Sequence, residues 1–245
     1  MKKLLILILI TSIFYGCENN QEDNVDIAVS SYALKFIVDE IAPDSLNVIK
    51  IDEKNTTQAS HAKLTMYISN EYKGSLNDIA NSIEIYPLLY SNIDNPNFFI
   101  SPNQMIIASE VVYSQILNVF PDFKDELQKN YIELFEKLDD LDKQYENIFK
   151  DAGDEVFVTN DDSFAHLQDY NFNYITYDDY LETSDVNINK VLCNSATQCN
   201  FFENDLFKDS QILEYLNLTY KPVNGNYFSA QYKNVLILEN LVNQN

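Results

Sequence analysis

Short apolar runs and helical stripes succeed one another along this chain. Val25 to Ser30 (VDIAVS) predicts a strand, and in Tyr32 to Ile41 (YALKFIVDEI) the residues Leu34, Ile37, Val38 and Ile41 recur at helical spacing. Leu46 to Ile51 (LNVIKI) predicts a second strand. Strand, helix and strand so close together predict a βαβ unit and a parallel sheet. LTMYIS (Leu64 to Ser69) and IEIYPLL (Ile83 to Leu89) predict further strands, with a short helix over 75–81 between them.

The centre of the chain carries the clearest period. Phe120, Phe123, Leu127, Tyr131, Leu134, Leu138, Leu141, Tyr145 and Ile148 are separated by steps of three and four, a heptad-like stripe. The helix is expected from Asn103, with Pro102 in its first turn, a kink or break at Pro121, and Gly153 just past its end. A coiled-coil dimer is the rival use of such a stripe, but about four heptads are short for one. Packing across two lobes is the reading taken.

The alternation then resumes. EVFVT (Glu155 to Thr159), FNYITY (Phe172 to Tyr177) and KVLCN (Lys190 to Asn194) predict strands, and LTYKPV (Leu218 to Val223) is strand-like. SFAHLQDY (Ser163 to Tyr170), DSQILEYLN (Asp209 to Asn217) and AQYKNVLILENLVNQ (Ala230 to Gln244) predict helices. The expected fold is α/β: two lobes, each with a mainly parallel sheet, joined by one long helix. The expected divisions are a lobe at 25–102, a linking helix at 103–150 and a lobe at 151–245.

Residues 1–24 stand apart. Lys2 and Lys3 precede an apolar run from Leu4 to Phe14 that is short for a bilayer span, and Gly16-Cys17 follows. The pattern resembles a bacterial lipobox, which implies removal of residues 1–16 and lipidation of Cys17; an ordinary secretory signal is the alternative. Residues 17–24 read as a solvated tether. Cys193 and Cys199 remain, and in an oxidising envelope compartment they are expected to close a small disulfide loop, with free thiols as the alternative.

Charge narrows the partners. The chain has 38 acidic residues against 16 basic ones, all of them lysine, and a formal net charge of −22. Such a surface repels nucleic acid and anionic lipid, and the lack of arginine removes the usual bidentate clamp for phosphate or carboxylate. A cation is the easier small partner. Catalysis finds no footing: neither of the two histidines accompanies a nucleophile motif, and with four glycines there is no phosphate loop. No enzyme is expected.

Several stretches, taken in order, resemble the metal-binding lipoproteins of zinc and manganese ABC importers, the cluster A-I type. DIAVSSYALKFIVDEIAPDSLNVIKI resembles their opening strand-helix-strand. ASHAKLT falls at the loop that ends in Asp-Pro-His in those proteins, and NPNFFISPNQMIIAS resembles Asp-Pro-His-x-Trp-Leu-x-Pro and the long helix after it. FVTNDDSFAHLQDYNFNYI resembles the first strand-turn-helix of their second lobe, and NYFSAQYKNVLILENL their closing helix.

That resemblance implies a ligand set residue by residue. His61 matches the first ligand histidine, and Asn97 stands in place of the second. Asp161 falls where zinc-type members have histidine and manganese-type members glutamate. Asn224 is the best positional match to the fourth, acidic ligand, Glu203 and Asp209 lying too far upstream. One imidazole, one carboxylate and two amide oxygens are harder and weaker than the nitrogen and sulfur donors zinc favours, so the set tilts toward manganese or toward no tight binding. Asp162 is expected to cap the helix after it, and His166 to be a surface residue.

The resemblance thus implies a monomeric lipoprotein, anchored at Cys17 on a bacterial envelope membrane, that captures zinc or manganese between its lobes and delivers it to an ABC importer permease. The alternative is a relative that has lost tight metal binding and acts as a surface or assembly protein.

Overall fold

The computed structural model describes residues 24–52, 54–68, 82–85, 88, 100–150, 156–160, 162–182, 190–193, 212–215 and 227–243. The expected lipobox, the tether up to residue 23, the 75–81 helix, the 218–223 strand and the Gly153 stop fall outside these residues.

The opening βαβ unit forms as the hydropathy pattern dictates. Strand β1 (Ile27–Val29) is buried throughout and pairs in parallel with both β2 (Val48–Lys50) and β3 (Leu64–Tyr67). Helix α1 (Tyr32–Ile41) starts where Ser31 accepts the Leu34 N–H on its Oγ at 3.1 Å, satisfying one of the first-turn donors. Its stripe of Leu34, Ile37, Val38 and Ile41 is fully buried. A four-residue helix, α2 (Thr56–Ala59), intervenes before β3, and β4 (Ser82–Glu84) completes an all-parallel sheet of order β2-β1-β3-β4.

The long helical stretch breaks at the proline. Helix α3 (Pro102–Val119) has Ser101 as its cap and Pro102 where a missing N–H costs nothing. Phe120 leaves helical geometry, a 3₁₀ turn spans Pro121–Phe123, and α4 (Lys124–Lys150) runs back antiparallel to α3. At 1.5 Å per residue α4 is roughly 40 Å long. Leu127, Leu134, Leu138, Leu141, Tyr145 and Ile148 are buried, and Phe123 and Tyr131 pack against the same core. One continuous core gathers side chains from both lobes around this stripe, so the heptad pattern serves packing within the chain.

The second sheet repeats the first. Strands β5 (Val156–Thr159), β6 (Asn173–Thr176), β7 (Lys190–Cys193) and β8 (Ile212–Tyr215) are all parallel, in the order β6-β5-β7-β8. Residues 162–170 wind as a 3₁₀ helix, and the buried Phe164, Leu167 and Tyr170 are spaced by threes, the 3₁₀ period. Asn171 then takes a left-handed φ of 64°, which asparagine tolerates, and turns the chain into β6. Helix α5 (Tyr177–Glu182) and the terminal α6 (Tyr227–Asn243) finish the fold; α6 begins three residues earlier than its pattern predicts.

One element departs in kind. Residues 209–217 were expected to be helical, yet 212–215 form the edge strand β8, in register with β7 from Lys190↔Ile212 to Cys193↔Tyr215. A brief apolar run fits either period, and the open edge of β7 decides it by offering a ladder of backbone hydrogen bonds.

Candidate functional site

In open parallel sheets, ligands gather beyond the carboxyl ends of the strands, so the position of the two carboxyl edges comes first. The carboxyl end of β1 runs through Ser30 and Ser31 into α1. The first half of α1 meets the second lobe, where the Phe36 ring lies 5.0 Å from Tyr227 and 5.7 Å from Phe228 on α6. The start of α3 faces the same way: Ile100 O accepts the Gln231 Nε2–H at 3.1 Å, and the Asn103 N–H donates to the Tyr170 hydroxyl at 3.3 Å. In the second lobe the amino end of β7 lies far from this meeting, because Lys190 Nζ donates to Val242 O near the end of α6. Both carboxyl edges therefore look across one inter-lobe cleft. Ser30 and Ser31 follow the carboxyl end of β1, and Asn160 follows that of β5.

The opposite edge of the first sheet faces the helix break. Lys63 pairs with Asp26 at 2.7 Å, and its ammonium lies 5.6 Å from the Phe120 ring, at the far end of α3. Asp26 enters β1 and Lys63 enters β3. His61 sits two residues before Lys63, exposed, with its backbone N–H bonded to Gln58 O at 3.1 Å. It thus occupies the amino edge of the sheet. The 18 residues of α3 separate that edge from Ile100 and the cleft, about 27 Å at helical rise.

Of the other residues singled out in the sequence, Asn97, Asp161, Asn224, Cys17 and Cys199 lie outside the described residues. Cys193 is buried on β7 and is disulfide-bonded. Asp162 is itself the first residue of the 3₁₀ helix rather than the residue before it, and its exposed Oδ1 accepts the Tyr174 hydroxyl at 3.1 Å. His166 is partly exposed within the same 3₁₀ helix. Among the described residues no group of three His, Cys, Asp or Glu side chains is disposed to hold a metal ion. A cavity of about 260 Å³ between the ends of α4 and α6, lined by Gln144, Asn147, Ile148, Glu239, Val242 and Asn243, lies away from the cleft.

Sequence reasoning missed the polar joint that ties α4 to α6 and to the start of α3. Tyr145 on α4 is fully buried and donates its hydroxyl to Gln231 Oε1 at 2.6 Å, while Asn234 Nδ2 reaches the same oxygen at 3.4 Å. Burial raises the Tyr145 pKa well above the usual phenol range, so it stays a donor. Beside it, Tyr170 donates to Asp142 Oδ1 at 2.5 Å, and its ring lies 5.4 Å from that of Tyr145. The available signal was two tyrosines in apolar periods, because a buried tyrosine needs a partner for its hydroxyl.

Two parallel four-stranded sheets bridged by a helical hairpin, with a cleft between their carboxyl edges, define a two-lobed solute-binding protein. The family model described as "Zinc-uptake complex component A periplasmic" matches residues 27–191, more than half of the chain, and the chain belongs to this family. That is a family of solute capture in the cell envelope and not of catalysis, so the chain is an envelope protein and not an enzyme. No curated protein matches it in sequence. Among solved structures, the metal-dependent lipoprotein YcdH from Bacillus subtilis is similar at 18% identity and a TM-score of 0.71, covering 89% of this chain and 99% of that one. The Zn(II)-bound ZnuA-like domain of Streptococcus pneumoniae AdcA is similar at 18% identity and 0.71, covering 90% and 100%. The laminin-binding protein Lbp of Streptococcus pyogenes is similar at 15% and 0.72, covering 89% and 99%. At such identities the likeness is one of fold.

Proposed function

We propose that this chain is a lipoprotein, tethered through Cys17 after loss of residues 1–16, that keeps the family's two-lobed body but has given up tight metal capture and acts as a surface or assembly protein. The carrying observation is the position of His61. It is the one imidazole in the implied ligand set, and it lies at the amino edge of its sheet, about 27 Å of helix away from the cleft. Without it, the donors at the family positions are Asp161 and the amides of Asn97 and Asn224, a set that does not fit tetrahedral zinc. Lbp, whose fold this chain shares, is described as binding laminin, so the scaffold is compatible with a macromolecular partner.

The second reading is capture of a divalent ion for an importer permease. Family membership favours it, together with an acidic chain in which Asp161 falls at a family ligand position. Oxygen donors alone would favour manganese over zinc. In either reading the protein works as a monomer held to the membrane by its lipid.

A single titration separates the two. The chelator-stripped mature chain is heated with zinc and, separately, manganese in excess. The expected result is an unchanged midpoint. A site filled at about 100 times its Kd adds about 2.7 kcal/mol to stability, and a midpoint rise of that order with either ion would replace the first reading by the second.

A further inference from the structure

We propose that one long side of the helical hairpin is a docking face for a basic segment of a partner protein, with an arginine seated on the ring ladder of Tyr113, Tyr131 and Phe135. Such a partner belongs to the surface role proposed above and rests on that reading. The face lies on the hairpin and not in the cleft, so metal binding and this docking can fail independently.

The ladder starts on α3 and crosses to α4. The Tyr113 and Tyr131 rings stack at 4.7 Å and 14°, and Phe135 follows one turn along α4 with its ring 6.5 Å from that of Tyr131. Both tyrosines are partly buried, while Phe135 is 39% exposed and Ile132, three residues before it, 45% exposed. Single exposed apolar side chains are ordinary, but these four form one strip on the hairpin. The same stripe of α4 continues from Phe135 through Asp139, Asp142 and Glu146 at steps of four, three and four, so rings give way to carboxylates. Asp169 on the 3₁₀ helix adds its charge beside Asp142, and Glu110, exposed on α3, adds its charge beside Tyr131. Among the described residues Lys143 pairs with Asp139 at 2.5 Å, whereas Glu110, Asp142, Glu146 and Asp169 form no ion pair.

Charge chooses the occupant of this strip. Ring faces attract a cation, and a guanidinium suits them best because its plane lies flat on a ring while its N–H groups reach neighbouring carboxylates. The chain itself has no arginine, so a guanidinium must come from another molecule. A second copy would set the same carboxylates against themselves across an isologous contact, and anionic lipid is repelled by the net charge of −22. From Tyr131 to Glu146 the face runs about 22 Å at helical rise. That is the reach of about seven extended residues. A short segment with an arginine at one end and further basic residues toward the other satisfies both halves of the face.

Fluorescence anisotropy with labelled hepta-arginine and hepta-lysine tests this on the whole mature chain. Wild type should bind the arginine peptide more tightly than the equally charged lysine peptide. Phe135→Ser should weaken the arginine peptide about fourfold, as loss of one exposed cation–π contact does, and should erase the preference. Glu110→Gln with Glu146→Gln should also weaken it about fourfold. Glu126→Gln with Asp140→Asn removes the same charge from the opposite side of α4 and should change the affinity less than about twofold. Equal wild-type affinity for the two peptides, or an unchanged Phe135→Ser, overturns the proposal. So do equal losses from the two charge pairs, which would mean that net charge alone attracts the peptide. A wild-type dimer that Phe135→Ser dissociates in sedimentation velocity would make a second copy the occupant and overturn it too, as would binding to phosphatidylcholine vesicles that the same change abolishes.

Discussion

The buried bond between Tyr145 and Gln231 offers the most direct check on how the lobes are held. Tyr145→Phe deletes one oxygen and nothing else. The lost bond is short, at 2.6 Å, and both partners are buried. A net hydrogen bond contributes about 1 kcal/mol, and Gln231 Oε1 is left with only the 3.4 Å contact from Asn234, so the cost should be about 1–2 kcal/mol. Gln231→Leu is more severe. It strands the Tyr145 hydroxyl and also removes the donor to Ile100 O at 3.1 Å, for about 2–4 kcal/mol. Urea unfolding followed by circular dichroism measures both, and the double variant closes a thermodynamic cycle. Because each change alone already breaks the shared bond, the double variant should fall short of the sum by about 1 kcal/mol. A phenylalanine variant within about 0.3 kcal/mol of wild type, or strict additivity, would refute the claim that this bond fastens α4 to α6 and, through Gln231, to the start of α3.

Other substitutions probe separate parts of the fold. Leu138→Ala, at a fully buried point of the linking stripe, should cost about 2–5 kcal/mol by urea unfolding, since a cavity there opens onto the core shared by both lobes. Ser31→Ala removes the cap of α1 and should cost about 1 kcal/mol in the same assay. His61→Ala should leave the response of the thermal midpoint to zinc or manganese as it is in wild type, because the imidazole lies at the far edge from the cleft. Asp142→Asn should stabilise the chain near neutral pH, with the advantage fading in acid. The folded pKa is raised, so wild type becomes neutral at this position as pH falls through that value; chemical denaturation at several pH values reads this out.

The parts of the fold that were legible in the sequence are those where one period runs long enough to exclude its rivals. Helix α1 ends where its stripe ends, and α4 buries nearly every position of the heptad pattern, because a wide apolar face has no other way to leave water. Pro121 marked the break for a covalent reason that no packing can override. Legibility failed where the segment was short. The β8 run suits a helix turn as well as a strand and was settled by a neighbour far away in sequence. The 3₁₀ helix at 162–170 carried its own signal in the three-residue spacing of Phe164, Leu167 and Tyr170, which is easily read as an α-helical stripe.

The candidate site was the least legible part, and the cause is topological. Residues between two strands of a parallel sheet begin at the carboxyl edge and must return to the amino edge before the next strand starts. A loop residue there belongs to one edge or the other according to where the return takes place. The stretch from Asp52 to Lys63 has weak apolar periodicity and reads as one loop leaving β2, which would put His61 beside the cleft. The four residues of α2 make the return before His61 is reached, and Ser60 and His61 close the helix with bonds to Thr56 O and Gln58 O. A helix that short leaves almost no trace in hydropathy, yet it moves an imidazole from one end of the sheet to the other. Asn160 escapes this ambiguity because it directly follows Thr159, the last residue of β5. Proximity in sequence to a strand's carboxyl end is therefore a firmer guide to which edge of the sheet a residue occupies than the residue type of a candidate in the middle of a crossover.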